Sequence, residues 1–305
     1  MRTEPMADTW PVLPVAEWQA TRDTLQLWTQ IVGKVRMKNG PLVNHWWNVP
    51  LYVTARGLTT SLMSHPSGEA FQIDFDFRSH VLEVVTVSGE QRNLDLRPVP
   101  VAQFYAEVMD VLEKLGVGTE IWPVPVEIEG AIPFPEDHVH AAYDRQQVER
   151  FWLALVQVRR VLHQFRSRFI GKMSPVHLFW GSLDLAVTRF SGRPAPPHPG
   201  RTPNCGPQVM LEAYSHEVSS AGYWPGGEGE GLFYSYAYPE PAGYRDVKVR
   251  PDGARFDAEF GEFVLPYQLV RQAHDPDRLL LEFLQSTYEA AATTAQWDRA
   301  ALERS

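Results

Sequence analysis

The chain has 305 residues, 44% of them hydrophobic and 21% charged, with a formal net charge of −9. That mixture can bury a substantial core and excludes overall disorder, while the acidic balance disfavours nucleic acid or an anionic membrane as a partner. A single cysteine, Cys205, excludes an intrachain disulfide and suits a reducing compartment.

The opening stretch, MRTEPMADTWPVLPVAEW, lacks the apolar run of a signal peptide. No later stretch reaches the ~20 apolar residues that span a bilayer. A cytoplasmic protein without membrane attachment is expected. Residues 1–16 read as an irregular arm. From Glu17 to about Lys34, Trp18, Leu25, Trp28 and Ile31-Val32 recur at helical spacing, and Gly33 and the KNGP turn at 38–41 end the helix. Residues 43–60 read as extended chain. Phe71, Ile73, Phe75 and Phe77 then alternate with polar residues as a half-buried strand does, and HVLEVVTVSG at 80–89 forms a second strand.

A helix is expected over about 100–115, stopped by Gly116, and an edge strand in the proline-interrupted TEIWPVPVEIEG. The strongest helix runs from about 145 to 170. Asp144 caps it with Gln147 three residues on, and Val148, Phe151, Leu155, Val158, Leu162, Phe165 and Phe169 form its apolar stripe. After the proline-rich loop 193–207, strands are expected at 209–218, 232–238 and 254–265. A last helix begins at Asp275-Pro276.

Two stretches, KVRMKNGPLVNHWWNVPLYVTARGLTT (34–60) and KMSPVHLFWGSLDLAVTRFSGR (172–193), resemble each other. Superposing Trp47 on Trp180 places Arg56 on Arg189 without a gap, and Gly33-Lys34 and Gly171-Lys172 stand upstream. The expected fold is therefore α+β, made of two related halves from an internal duplication. Residues 17–143 and 144–305 would each read helix, antiparallel strands, helix, and pack about a pseudo-two-fold axis, with both halves able to form one unit.

A cleft between such halves would carry Arg56, Arg189, Lys34 and Lys172 as donors for carboxylate or phosphate. Trp47 and Trp180 would supply stacking walls, with His45 and Tyr214 beside them. The expected ligand is small, and anionic or ring-containing. Plain packing of the tryptophans and internal pairing of the arginines is the competing structural outcome. For proton transfer or a metal-dependent hydrolase the candidates are His177, His216 and Glu217. His138, His140, His177 and His216 are weak metal ligands without diagnostic spacing. In EAYSHEV, Glu212, Tyr214 and His216 would share one strand face. No GxSxG elbow or Walker loop occurs, and no cofactor is indicated. A rival from another class is a non-catalytic interaction module using the aromatic and proline-rich loops 193–207 and 222–227.

At NHWWNVPLYVTARGLTT, SPVHLFWGSLDLAVTRFSGR and EAYSHEVSSAGYWPGG, the sequence resembles a family of uncharacterised bacterial proteins of about this size. The resemblance spans nearly the whole chain. It implies one complete unit and brings no catalytic residues with it.

Overall fold

The computed structural model describes residues 10–304. Helix α1 (Val15–Asn39) leads into a meander of short strands: β1 (Tyr52–Val53), β2 (Gly57–Thr59), β3 (Met63–Ser64), β4 (Ala70–Asp76), β5 (Val81–Thr86) and β6 (Gln91–Asp95). Helix α2 (Val101–Lys114) closes this half. The second half opens with α3 (Arg145–Ser167) and continues through β7 (His177–Phe179), β8 (Asp184–Pro194), α4 (Pro207–Ala213), β9 (His216–Trp224), β10 (Leu232–Tyr238), β11 (Arg255–Asp257) and β12 (Glu262–Pro266). It ends with α5 (Tyr267–Arg271), α6 (Pro276–Thr294) and α7 (Arg299–Leu302). The fold is α+β with two antiparallel sheets, ordered β1-β2-β4-β5-β6 (β3 also pairing with β4) and β11-β12-β10-β9-β8-β7. No helix among the described residues is long and apolar enough to cross a membrane.

Both halves draw on one apolar core. Helix α1 joins them: Trp28 stacks on Phe104 of α2 at 4.3 Å, and Trp18 lies 5.1 Å from Phe151 of α3. The helix runs on through Gly33 because that position needs a small residue rather than a stop. A Cβ there would fall inside the indole of Trp180, which donates from Nε1 to the Val49 carbonyl at 2.8 Å. Residues 1–9, most of the expected arm, lie outside the described residues. The chain from Trp10 onward is packed rather than irregular at the surface: Trp10 is buried against Phe233 and Tyr267, and the Tyr267 hydroxyl donates to the Pro11 carbonyl.

The caps expected at Asp144 and Asp275 are both made, each carboxylate accepting the amide three residues on. Two expected strands are absent. Residues 119–130 form irregular chain, since Pro123 and Pro125 have no amide to give a ladder. Residues 207–213 form α4, with Pro207 at its first position, and β9 begins only at His216. Glu212, Tyr214 and His216 therefore do not share a strand face.

The halves meet where Leu51 pairs antiparallel with Leu178, edge to edge between the sheets. In the β1–β2 hairpin Val53 faces Leu58; in the β7–β8 hairpin Phe179 faces Asp184. Matching hairpin to hairpin brings 53 onto 179, whereas the Trp47–Trp180 superposition brings it onto 186. The ungapped motif is thus seven residues out of register with the hairpins. Arg56 sits in a turn while Arg189 lies within β8.

Candidate functional site

The second sheet has two unlike faces, set by strand alternation. Leu185, Val187 and Arg189 of β8 and Tyr223 of β9 are buried on the side covered by α3 and α6. On the other side, Asp184, Ala186, Thr188 and Phe190 of β8, Ser220 of β9, Tyr234 and Tyr236 of β10, and Glu262 of β12 floor a cavity of about 790 Å³. That volume suits a drug-sized molecule.

Helix α4 and the loop before it roof the floor. Asn204 donates to the carbonyls of Pro125 and Ile128, and the Glu127 amide donates to Pro203. His198 stacks on Tyr214 at 4.4 Å. Lys34, Trp46, Trp47, Trp122, Glu127, Phe179 and Trp180 close the end formed by α1 and its neighbouring loops. The wall is mainly aromatic, and its polar groups are concentrated in a few places.

Three of those groups are carboxyls. Ser182 Oγ lies 3.1 Å from Glu127 Oε2 and 3.0 Å from Asp184 Oδ1. A hydroxyl has one proton to give, so it cannot fully satisfy both acids when both are ionised. The Tyr234 hydroxyl donates to the other oxygen of Asp184. Its ring can cross the sheet because Gly222 lies beneath it; a Cβ at Gly222 would meet the Tyr234 ring and the Leu185 carbonyl. Tyr214 and Tyr236 share a hydrogen bond of 2.9 Å on the same floor.

Glu127 sits deep in the molecule, yet its side chain is accessible because it faces the open cavity. Burial, and then the charge of Asp184, lift its carboxyl to about 7. The same two causes lift Glu262 to about 7, and burial raises Asp184. Among the described residues, none of the three has a Lys, Arg or His within ion-pair distance. By contrast the buried Glu230 is matched by Arg271 at 2.7 Å. Buried acids without a counter-ion are costly.

The cation on this wall is Lys34. It is 1% exposed, donates to the Val124 carbonyl at 2.8 Å and lies 4.8 Å over the Trp122 ring. Burial lowers its amine to about 8.

The residues singled out from the sequence divide sharply. Lys34, His45, Trp47, Trp180 and Tyr214 all line this cavity. Lys172 stands at its edge: its Nζ is 2.6 Å from His45 Nε2 and lies over the rings of Phe190 and Trp47. His45 Nδ1 faces the Glu212 and Ala213 carbonyls at the end of α4, so the neutral ring, donating there and accepting from Lys172, ties the roof to the floor.

The two arginines are not brought together. Arg56 is exposed and paired with Asp76 and Glu83 on the first sheet at 3.0 and 3.2 Å. Arg189 is buried on the opposite face of the second sheet, 3.5 Å over the Phe165 ring, 4.3 Å over Tyr288, and donating to the Phe165 carbonyl. An odd-numbered position in β8 points away from the cavity that the even-numbered ones floor.

The proton-transfer and metal candidates are scattered too. His177 is fully buried beside Tyr52 and Phe179; burial, and then the Arg36 charge, push it down to about 3. Glu217 is bonded to Arg193, and His216 lies edge-on to His45. His140 is held by Asp137 at 2.7 Å, while His138 lies two residues away in the α2–α3 connection. Among the described residues no three His, Cys, Asp or Glu side chains are grouped to hold a metal ion.

Sequence reasoning missed Glu127, Ser182, Asp184, Tyr234 and Glu262. Asp184 and Tyr234 could have been found as polar positions at period two in otherwise apolar strands. Glu127 sits in irregular chain, where no pattern marks it.

The site defines a class first: an α+β protein of two antiparallel sheets, one of them flooring an aromatic cavity whose acids make no ion pair among the described residues. The chain belongs to a family of unknown function, DUF5996, whose model matches residues 10–304. No curated protein matches it, and no solved structure does.

Proposed function

We propose that this protein binds a small, ring-containing organic molecule in the cavity over its second sheet, and that the bound molecule is neutral or cationic rather than anionic. The observation carrying this is the set of Glu127, Asp184 and Glu262, three carboxyls on an aromatic wall without a basic partner among the described residues. Hydrogen-bond donors or an ammonium group on a ligand would satisfy them. The aromatic rings would take its apolar face and, through their π-clouds, part of a positive charge. An anion would have Lys34 in its favour and three acids against it. Arg56 and Arg189 are spent elsewhere.

A reducing compartment such as the cytoplasm is proposed on the basis of the lone cysteine. Its halves are read as copies of one helix–meander–helix unit related about the Leu51–Leu178 pairing. A pure interaction role is less favoured, because loop 193–207 is bonded to the body and Trp224 of the second loop lines the cavity.

Thermal shift and tryptophan quenching with benzylamine, benzyl alcohol and benzoate test this. Benzylamine and benzyl alcohol should stabilise the protein and quench its fluorescence, and benzoate least. Equal responses to all three would remove the electrostatic part. No response to any of them, nor to a metabolite library, would remove the binding site.

A further inference from the structure

Lys34 is the group on this wall whose position packing alone explains least. The chain has five lysines; Lys38, Lys114, Lys172 and Lys248 are exposed, as lysines usually are. Lys34 is buried on α1 among the residues that line the cavity, its Nζ held by the Val124 carbonyl and the faces of Trp122 and Phe134 and by no carboxylate among the described residues. An ammonium has three donors, and the Val124 carbonyl takes one of them. A long cationic side chain brought into an aromatic wall without an acid partner is an expensive way to support a loop.

We propose that Lys34 is a nucleophilic amine, and that the cavity takes a ring-bearing aldehyde or ketone whose carbonyl carbon forms an imine with Lys34 Nζ. This rests on the cavity being a ligand site and names the chemical class of what enters it. The amine lone pair makes the C–N bond. The carbonyl oxygen then leaves as water, carrying the two protons that the nitrogen gives up, and the step is reversible without an oxidant or reductant. Such chemistry requires the unprotonated amine, which desolvation in an apolar pocket supplies. With Lys34 held near 8, its free-amine fraction at pH 7.5 exceeds that of an ordinary lysine on the order of two-hundredfold.

Glu127, which lines the same cavity as Lys34, is assigned the movement of the protons. A carboxyl near 7 can give a proton to the departing oxygen and take one back from nitrogen.

The test treats the full chain at pH 7.5 with benzaldehyde and sodium cyanoborohydride, which reduces an imine to a stable amine, and maps the adduct by peptide mass spectrometry. One benzyl group per chain on Lys34 is expected, at least tenfold ahead of any exposed lysine. Lys34→Arg should lose it, and benzyl alcohol should slow it in the wild type by competition, a readout that survives if the variant fails to fold. Adducts spread over Lys38, Lys114, Lys172 and Lys248 with Lys34 unmodified would overturn the proposal. If benzyl alcohol still quenches the tryptophans in that case, the cavity stands as a binding site and only the imine falls. If neither molecule perturbs the protein, both fall together.

Discussion

Replacing Glu262 by Gln should stabilise the ligand-free protein, and more so as the pH rises. The carboxyl ionises near 4.5 when unfolded and about 7 when folded, chiefly through burial. A raised acid favours the native state while it is protonated there, so its penalty sets in as pH rises through 4.5 and is complete above about 7. Between pH 5 and pH 8 a shift of that size amounts to roughly 2–3 kcal/mol. Glu262 is partly open to the cavity, and screening by the water it admits leaves about 1–2 kcal/mol.

The assay is the difference in melting temperature between Glu262→Gln and wild type, measured every half pH unit from 5 to 8. The difference should grow by about 2–5 °C across that range in the variant's favour. Lys34 and the buried histidines do not confound it, because they act equally in both proteins and cancel in the difference. A flat difference, or one that shrinks with pH, would mean that Glu262 is not held in an uncompensated apolar setting. The basis for a neutral or cationic ligand would weaken with it.

Arg56→Ala should cost less than about 1 kcal/mol, as exposed ion pairs do, and Arg189→Ala about 2–4 kcal/mol through lost packing against Phe165 and Tyr288. Neither should weaken the quenching by benzyl alcohol, and a loss of quenching in a folded variant would return the arginines to the site. Gly33→Ala should displace the Trp180 indole, break its bond to Val49 and cost about 2–3 kcal/mol in urea unfolding; unchanged stability would show that Trp180 is not seated against α1. His45 is held below its usual range by burial foremost, with Lys172 and His216 adding repulsion. Stability tied to its neutral ring is present above pH 6.5 and is lost as the pH falls below it. Protection factors at the amides of residues 208–214, corrected for the pH dependence of intrinsic exchange, should therefore fall between pH 6.5 and pH 5, and unaltered protection would separate His45 from the roof.

What the sequence alone determined is the local part of the fold. Periodic apolar stripes located α1, α2, α3 and α6, and the Asp144 and Asp275 caps marked two starts closely, because helix periodicity and capping involve residues within a turn of one another. Alternation placed β4, and the runs at 80–89 and 232–238 marked β5 and β10, for the same reason. It also raised five of the cavity's residues: Lys34, His45, Trp47, Trp180 and Tyr214.

Tertiary structure decided the rest. Position 33 looks like part of a Gly-Lys motif along the chain, but its real constraint is Trp180, packed against it from another element. Arg56 and Arg189 match in an ungapped string, but their hairpins are seven residues out of step with it, and a strand's two-residue period sends Arg189 to the face opposite the cavity. Glu127, Asp184 and Glu262 lie 57 and 78 residues apart along the chain. Only the pairing of β8, β9, β10 and β12, with the irregular chain around Glu127 folded over them, puts three acids on one wall with no ion pair to any of them among the described residues.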